Sequence, residues 1–113
     1  MSEDCLFCKI VAGEIPSEAV YQDEHVYAFR DINPVAPSHV LVVPRRHIAA
    51  LDEIQDGDED LLGRLLVASK KVAEQENLSN GYRVLTNTGP DSGQVVFHLH
   101  FHVIGGRKLG AMA

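Results

Sequence analysis

Residues 97–103 read FHLHFHV, an unbroken alternation of apolar and imidazole side chains. A period of two belongs to the β-strand, so this run predicts Phe97, Leu99, Phe101 and Val103 on one face and His98, His100 and His102 on the other. The first face must be the core face. The second is then a row of imidazoles, successive ones about 6–7 Å apart along a stiff support.

The rest of the chain supplies partners for that strand. A short apolar helix is expected over residues 6–12, stopped by Gly13 and Pro16. Strand-like runs follow at 19–22 and 25–31, separated by Asp23-Glu24. Residues 33–37 (NPVAP) are a loop, because two prolines in so short a span cannot extend a ladder. Residues 39–44 (HVLVVP) form a β-branched run and read as a buried strand. One long helix is expected over 58–77, with Leu61, Leu62, Leu65, Leu66, Ser69, Val72 and Ala73 on one face and acids in the first turn to suit the dipole. Strands at 82–87 and 95–104 flank a Gly/Pro/Asp/Ser loop at 88–93. Strands with one long helix packed on them give an α+β domain, and nothing in residues 1–113 marks a linker or an internal repeat.

The formal net charge of −6 argues against a nucleic-acid partner, which needs a net of phosphate-neutralising Lys and Arg. A single small anion remains compatible with it, since local dipoles can outweigh the global field. No apolar run approaches a membrane span of about 20 residues, and no secretory signal opens the chain. The expectation is a cytoplasmic protein, whose two cysteines are thiols or a metal pair.

The residues leave three uses for the imidazole row: a polar strand face, a three-histidine catalytic metal site, or chemistry by histidine itself. The last uses one ring as nucleophile and another as proton handler, which suits a side chain with an ordinary pKa near 6.5.

The blocks CLFCKIVAGEIPSE, VYAFRDINPVAPSHVLVVPRRH and GYRVLTNTGPDSGQVVFHLHFHVIGGR, in this order, resemble the histidine triad (HIT) superfamily. The Gly105-Gly106-Arg107 after the triad resembles its Hint-like branch of nucleotide-binding phosphoramidases, in the bacterial form. The resemblance implies a HIT-like antiparallel sheet with one long helix and a short N-terminal helix. It implies a homodimer too, with the long helix and the 82–87 strand as interface. The implied reaction is hydrolysis of purine nucleoside 5′-phosphoramidates, AMP joined to an amine, through a covalent nucleotidyl-histidine.

By position His100 is the nucleophile, its second ring nitrogen donating to the carbonyl of His98, while His102 and His39 are matched to phosphate contact and proton relay. Asn87, Gly93 and Gln94, with the backbone amides of Val95 and Val96, match the phosphate cradle. Asp31 matches the acceptor of both ribose hydroxyls, and Phe7, Ile10, Phe29 and Ile32 match the base pocket. The chemistry needs no cofactor. Cys5, Cys8, His47 and His98 match a closed structural zinc site found in some bacterial relatives, the alternative being two buried thiols. Val95 stands where animal members often carry serine, which predicts an altered leaving-group preference, and the short tail after Gly106 leaves tail-dependent specificity open. Competing functions are a dinucleoside polyphosphate hydrolase or nucleotidyl transferase, and a nucleotide-binding regulatory module.

Overall fold

Burial on both sides of the two central strands gives the sheet two covered faces. In the computed structural model, which describes residues 4–112, β2 (Val26–Arg30) and β3 (Ser38–Pro44) pair antiparallel with Phe29 opposite Leu41. Val26, Ala28, Val40 and Val42 point to one side, into a cluster completed by Leu65, Ala68, Val72 and Ala73 of a long helix, α2 (Glu59–Gln75). Phe29, Leu41 and Val43 point to the other side, where a six-residue helix, α1 (Leu6–Val11), covers them with Phe7 and Ile10. β1 (Ala19–Gln22), β4 (Tyr82–Leu85) and β5 (Phe101–Gly105) complete an antiparallel sheet of order β1-β2-β3-β5-β4. This is the expected α+β arrangement, with β4 on an edge. No helix among the described residues is long and apolar enough to cross a membrane.

Four expectations need correction. The last strand begins at Phe101, not at residue 95, so His98 and His100 precede the ladder. Its partner β3 ends at Pro44, which has no N–H to donate, and β4 ends opposite His102. What extends the chain before Phe101 is a set of separate anchors: Leu99 N–H donates to the Ile48 carbonyl at 2.6 Å, and the Thr86 hydroxyl to the His100 carbonyl at 2.7 Å. Leu99 and Val103 are buried as expected, but Phe97 lies beyond the sheet and is 53% exposed. On α2, Leu66 faces outward while Ala68 takes a core position. The strand at 82 is also two residues shorter than expected, ending at Leu85.

One charged network ties α2 to the sheet. Arg30 of β2 donates to both oxygens of Glu76 at 2.6 and 2.8 Å, and Ser38 of β3 donates to the same carboxylate at 2.8 Å. Arg30 holds the Glu76 carboxyl below its ordinary 4.5, against the burial that raises it. Glu76→Gln is expected to lower the free energy of unfolding by about 2 kcal/mol at neutral pH, since it takes charge-assisted bonds from a largely buried group. A depressed carboxyl contributes stability above its unfolded pKa and loses it as pH falls through the folded value. Denaturant titrations should therefore show wild type and variant converging as pH drops below 4.5.

Candidate active site

Each ring of the triad has its tautomer set by what it faces. His100 Nδ1 lies 2.7 Å from the His98 carbonyl, so Nδ1 carries the proton and Nε2 keeps a lone pair. The edge of Phe7 packs on this ring at 5.1 Å between centroids. Burial pushes His100 below its ordinary pKa, which keeps it neutral and nucleophilic at pH 7.

His102 stands opposite Leu41 in the ladder, so His39, two residues along β3, shares its face diagonally. The Val35 backbone N–H donates to His39 Nδ1 at 3.2 Å. His39 Nε2 must therefore bear that ring's proton, as its 3.4 Å approach to Asp31 Oδ2 also requires. From there it donates to His102 Nδ1 at 2.9 Å. The proton of neutral His102 is left on Nε2, which among the described residues is the one buried side-chain polar atom without a partner. A buried donor of this kind costs free energy unless a ligand accepts from it. Burial pushes His102 down to about 4 and His39 in the same direction, so the resting pair is neutral.

Asp31, His39 and His102 also bring three potential metal-ligand atoms within 4.8 Å of one another. Coordination there would strip the Nε2 proton from His39 while Nδ1 accepts from Val35, leaving an imidazolate. The arrangement suits a proton relay and not a metal. Asp31 keeps one oxygen on the Asn33 N–H at 2.8 Å and turns the other toward His39.

The loop before the triad is braced by Gln94. Its carboxamide accepts from Gly89 N–H at 2.9 Å and donates to the carbonyls of Ala49 and Val96 at 3.0 and 3.1 Å, while its own N–H reaches the Gly89 carbonyl. Gln94 thus has no donor left for a phosphate, which corrects its expected role: it is a buckle. Gly93 likewise spends its N–H on Pro90 and contributes its φ of +90°, which a side chain would strain. Among the described residues no acceptor takes the N–H groups of Val95 and Val96 or the carboxamide of Asn87, so these remain the candidate cradle.

Phe7 and Phe29 meet edge to face at 5.3 Å and, with Ile10, line an apolar cluster under the triad. Ile32 does not join them and is 91% exposed, because the chain leaves β2 at Arg30 and turns on Asp31.

A second cluster shares His98 with the triad. His98 Nε2–H donates to the Pro44 carbonyl at 2.8 Å, leaving Nδ1 as a lone pair. That atom faces Cys5 Sγ at 3.3 Å, Cys8 Sγ at 3.5 Å and His47 Nδ1 at 3.3 Å, with Cys8 Sγ 3.3 Å from His47 Nδ1. A tetrahedron with Zn–N near 2.05 Å and Zn–S near 2.3 Å has edges of roughly 3.4 Å (N–N) and 3.6 Å (N–S). Four of the six edges therefore already stand within a few tenths of an ångström of closed Cys2His2 coordination, and all four donor atoms lie within 4.8 Å of one another. The Pro44 carbonyl on His98 Nε2–H is the kind of acceptor that orients a metal-bound histidine. The Cys8 N–H donates to Cys5 Sγ at 3.3 Å, at the cap of α1, and so fixes the position of that sulfur.

Of the residues expected from sequence, Phe7, Ile10, Phe29 and Val96 share one apolar cluster, Asp31, His39 and His102 a second group, and Cys5, Cys8, His47 and His98 a third, while Ile32 stands apart. Val95 also stands out, its side chain 84% exposed. Two contributors had no signal. Val35 acts through its backbone, which no sequence pattern marks, and Thr86 acts through a hydroxyl whose reach to His100 follows only from the register of β4 on β5.

Comparison with known proteins places these features in context. Residues 12–109 match the HIT domain family. The chain is 51% identical over 109 residues to an uncharacterized HIT-like protein of Synechococcus elongatus, covering 96% of each. It is 46% identical over 113 residues to the purine nucleoside phosphoramidase of Escherichia coli, covering 99% of this chain and 95% of that one. Among solved structures, a histidine triad protein from Clostridium difficile superposes with a TM-score of 0.96 at 46% identity, covering 100% of this chain and 99% of that one. A HIT family hydrolase from Clostridium thermocellum superposes with a TM-score of 0.95 at 46% identity, covering 99% and 98%.

Proposed function

The chain belongs to the HIT domain family, and from that premise we propose that it hydrolyses purine nucleoside 5′-phosphoramidates to the nucleoside monophosphate and an amine. The observation that carries this reading is the wiring of the rings. One lone pair, His100 Nε2, and one donor, His102 Nε2–H, are left over on a single face, beside a loop with unspent backbone N–H groups.

His100 Nε2 attacks phosphorus, and the bond from phosphorus to the amine nitrogen breaks. The His98 carbonyl accepts from Nδ1–H and steadies the cationic nucleotidyl-imidazole that forms. An amine departs only if it collects a proton. The bound anion favours an added proton on the His39–His102 pair, and His102 Nε2 passes it to the leaving nitrogen. In the second step water attacks phosphorus, its proton returns to the same pair, and His100 leaves as neutral imidazole. Val95 and Val96 N–H groups and Asn87 hold the phosphoryl oxygens. Asp31 takes the ribose hydroxyls, and Phe7, Ile10 and Phe29 stack on and bury the purine. Where animal relatives offer a serine hydroxyl, Val95 offers a backbone N–H and an exposed apolar side chain, so leaving-group preference shifts accordingly.

Cys5, Cys8, His47 and His98 would hold a structural zinc ion. When bound, it supplies a closed cross-link between α1, the segment after β3 and the triad, and takes no part in the reaction. A cytoplasmic setting keeps such thiols reduced.

We further propose a homodimer. The free edge of β4 offers unpaired backbone groups to a second copy, and Leu66 of α2 is an exposed apolar side chain. Equilibrium sedimentation should then return twice the 12.4 kDa chain mass.

The test of function is a side-by-side assay of an AMP–tryptamine phosphoramidate and a diadenosine polyphosphate. Preferential release of the amine supports the reading. Preferential cleavage of the polyphosphate, or binding of nucleotide without turnover of either, would sink it.

A further inference from the structure

The Arg107 guanidinium is exposed and makes no ion pair among the described residues, yet it is held in place. It donates to the Val35 carbonyl at 2.8 Å and to its neighbour's carbonyl, that of Lys108, at 2.9 Å. The other end of residue 35, its N–H, sits on His39 Nδ1 at 3.2 Å. The two ends of one residue thus connect a surface arginine to the catalytic imidazoles, in the order Arg107, Val35, His39, His102.

We propose that Arg107 is a positioning residue for the relay: by holding the Val35 carbonyl it keeps the Val35 N–H on His39 Nδ1 and so fixes the tautomers of His39 and His102.

Two further observations support this. The loop carrying Val35 lies between β2 and β3 with prolines at 34 and 37, so no ladder fixes it. Its described restraints are few: the Asn33 N–H on Asp31, the Val35 N–H on His39, and Arg107. Gly106 then explains how the arginine arrives. Its φ is +97°, and a Cβ there would stand 2.9 Å from Cβ of Pro37. Gly106 therefore lies against Pro37, and this close approach brings the guanidinium of the next residue to Val35.

The consequence is chemical. With Val35 N–H in place, His39 donates from Nε2 and His102 offers Nε2–H outward. Without it, the longer 3.4 Å approach of Asp31 Oδ2 is the remaining hold on Nε2–H, and part of the His39 population can carry its proton on Nδ1 and accept at Nε2 from His102 Nδ1–H. His102 Nε2 then presents a lone pair to the phosphoryl anion instead of a donor. The proposal rests on the phosphoramidase reading only for its kinetic arm.

The test uses full-length protein with 15N-labelled histidine rings, whose two neutral tautomers give different nitrogen shifts. Wild type is expected to show His39 and His102 both protonated at Nε2. In Arg107→Met, which keeps the apolar stem and removes the donors, both rings should gain Nδ1–H population. The kcat for an AMP–amine substrate should fall about fivefold to tenfold, as for one lost hydrogen bond's bias, with KM little changed. Arg107→Lys, able to reach the same carbonyl, should restore part of both. Should Arg107→Met fail to fold, an ester linkage replacing the Val35 N–H in semisynthetic protein removes the donor directly and should produce the same ring signature. A folded Arg107→Met, or the ester protein, with both rings still purely Nε2–H overturns the proposal, and so does an unchanged kcat. A wild-type protein inactive on every phosphoramidate would instead overturn the functional reading, and the ring spectra would still decide the clamp.

Discussion

His100→Ala is expected to lower kcat on an AMP–amine phosphoramidate by at least about four orders of magnitude, the scale of removing a covalent nucleophile, while nucleotide binding stays close to wild type. The wiring of the other rings explains why no neighbour substitutes. His98 has one nitrogen on the Pro44 carbonyl and the other turned into the cysteine cluster. His39 accepts from Val35 at one nitrogen and donates from the other. His102 accepts from His39 at Nδ1 and carries its proton on Nε2. Only His100 presents an unprotonated nitrogen away from its own hydrogen bond. Wild-type enzyme quenched in alkali during turnover should carry one nucleoside monophosphate on the peptide containing His100, and the variant should carry none. An adduct on His98, His102 or His39, or turnover surviving the substitution, would remove the basis of the mechanism.

The sequence was most legible where a period could be read. The alternation in FHLHFHV puts Leu99 and Val103 in the core under α2 and His98, His100 and His102 on the opposite face, and the 3.6-residue spacing in α2 finds Leu65, Ser69, Val72 and Ala73. It was least legible where a partner strand ends. Residues 95–100 continue the apolar and β-branched pattern, but β3 stops at Pro44 and nothing local reports that fact, so the pattern starts the strand six residues too early and puts Phe97 in the core. Site residues followed the same logic. Side chains that converge on one face, such as His39 with His102, could be paired through the resemblance. Gln94 and Ile32 were assigned by position alone, and the structure shows that one is a brace and the other exposed. Backbone donors such as Val35 N–H have no residue type at all, and only coordinates reveal them.

The second large effect concerns the cysteine cluster. Cys8→Ser is expected to abolish binding of one equivalent of zinc per chain and to lower the thermal midpoint by about 15 °C, which corresponds to roughly 3 kcal/mol in a domain of this size. The effect is smaller than the whole free energy of a structural zinc site, because the α2 face of the sheet has its own core and does not depend on the ion. The loss is concentrated on α1, a helix of six residues that is too short to be stable alone. Phe7 sits between the two cysteines and touches both Phe29 and His100. Loosening α1 therefore opens the base pocket, and KM for the nucleotide should rise about tenfold, the size of one disrupted aromatic wall. The kcat should change less, since His100 and His102 lie outside the cluster and the nucleophile's carbonyl acceptor belongs to the backbone of His98. Elemental analysis and cobalt substitution provide readouts independent of turnover. A reduced protein that takes up Co2+ with thiolate charge-transfer bands and a tetrahedral d–d spectrum supports the closed site. One that purifies without metal, refuses it after reduction and melts at the same temperature as Cys8→Ser shows instead that the two thiols are ordinary core residues. In that event the 3.3 Å approach of His47 to His98 reflects a hydrogen bond between rings.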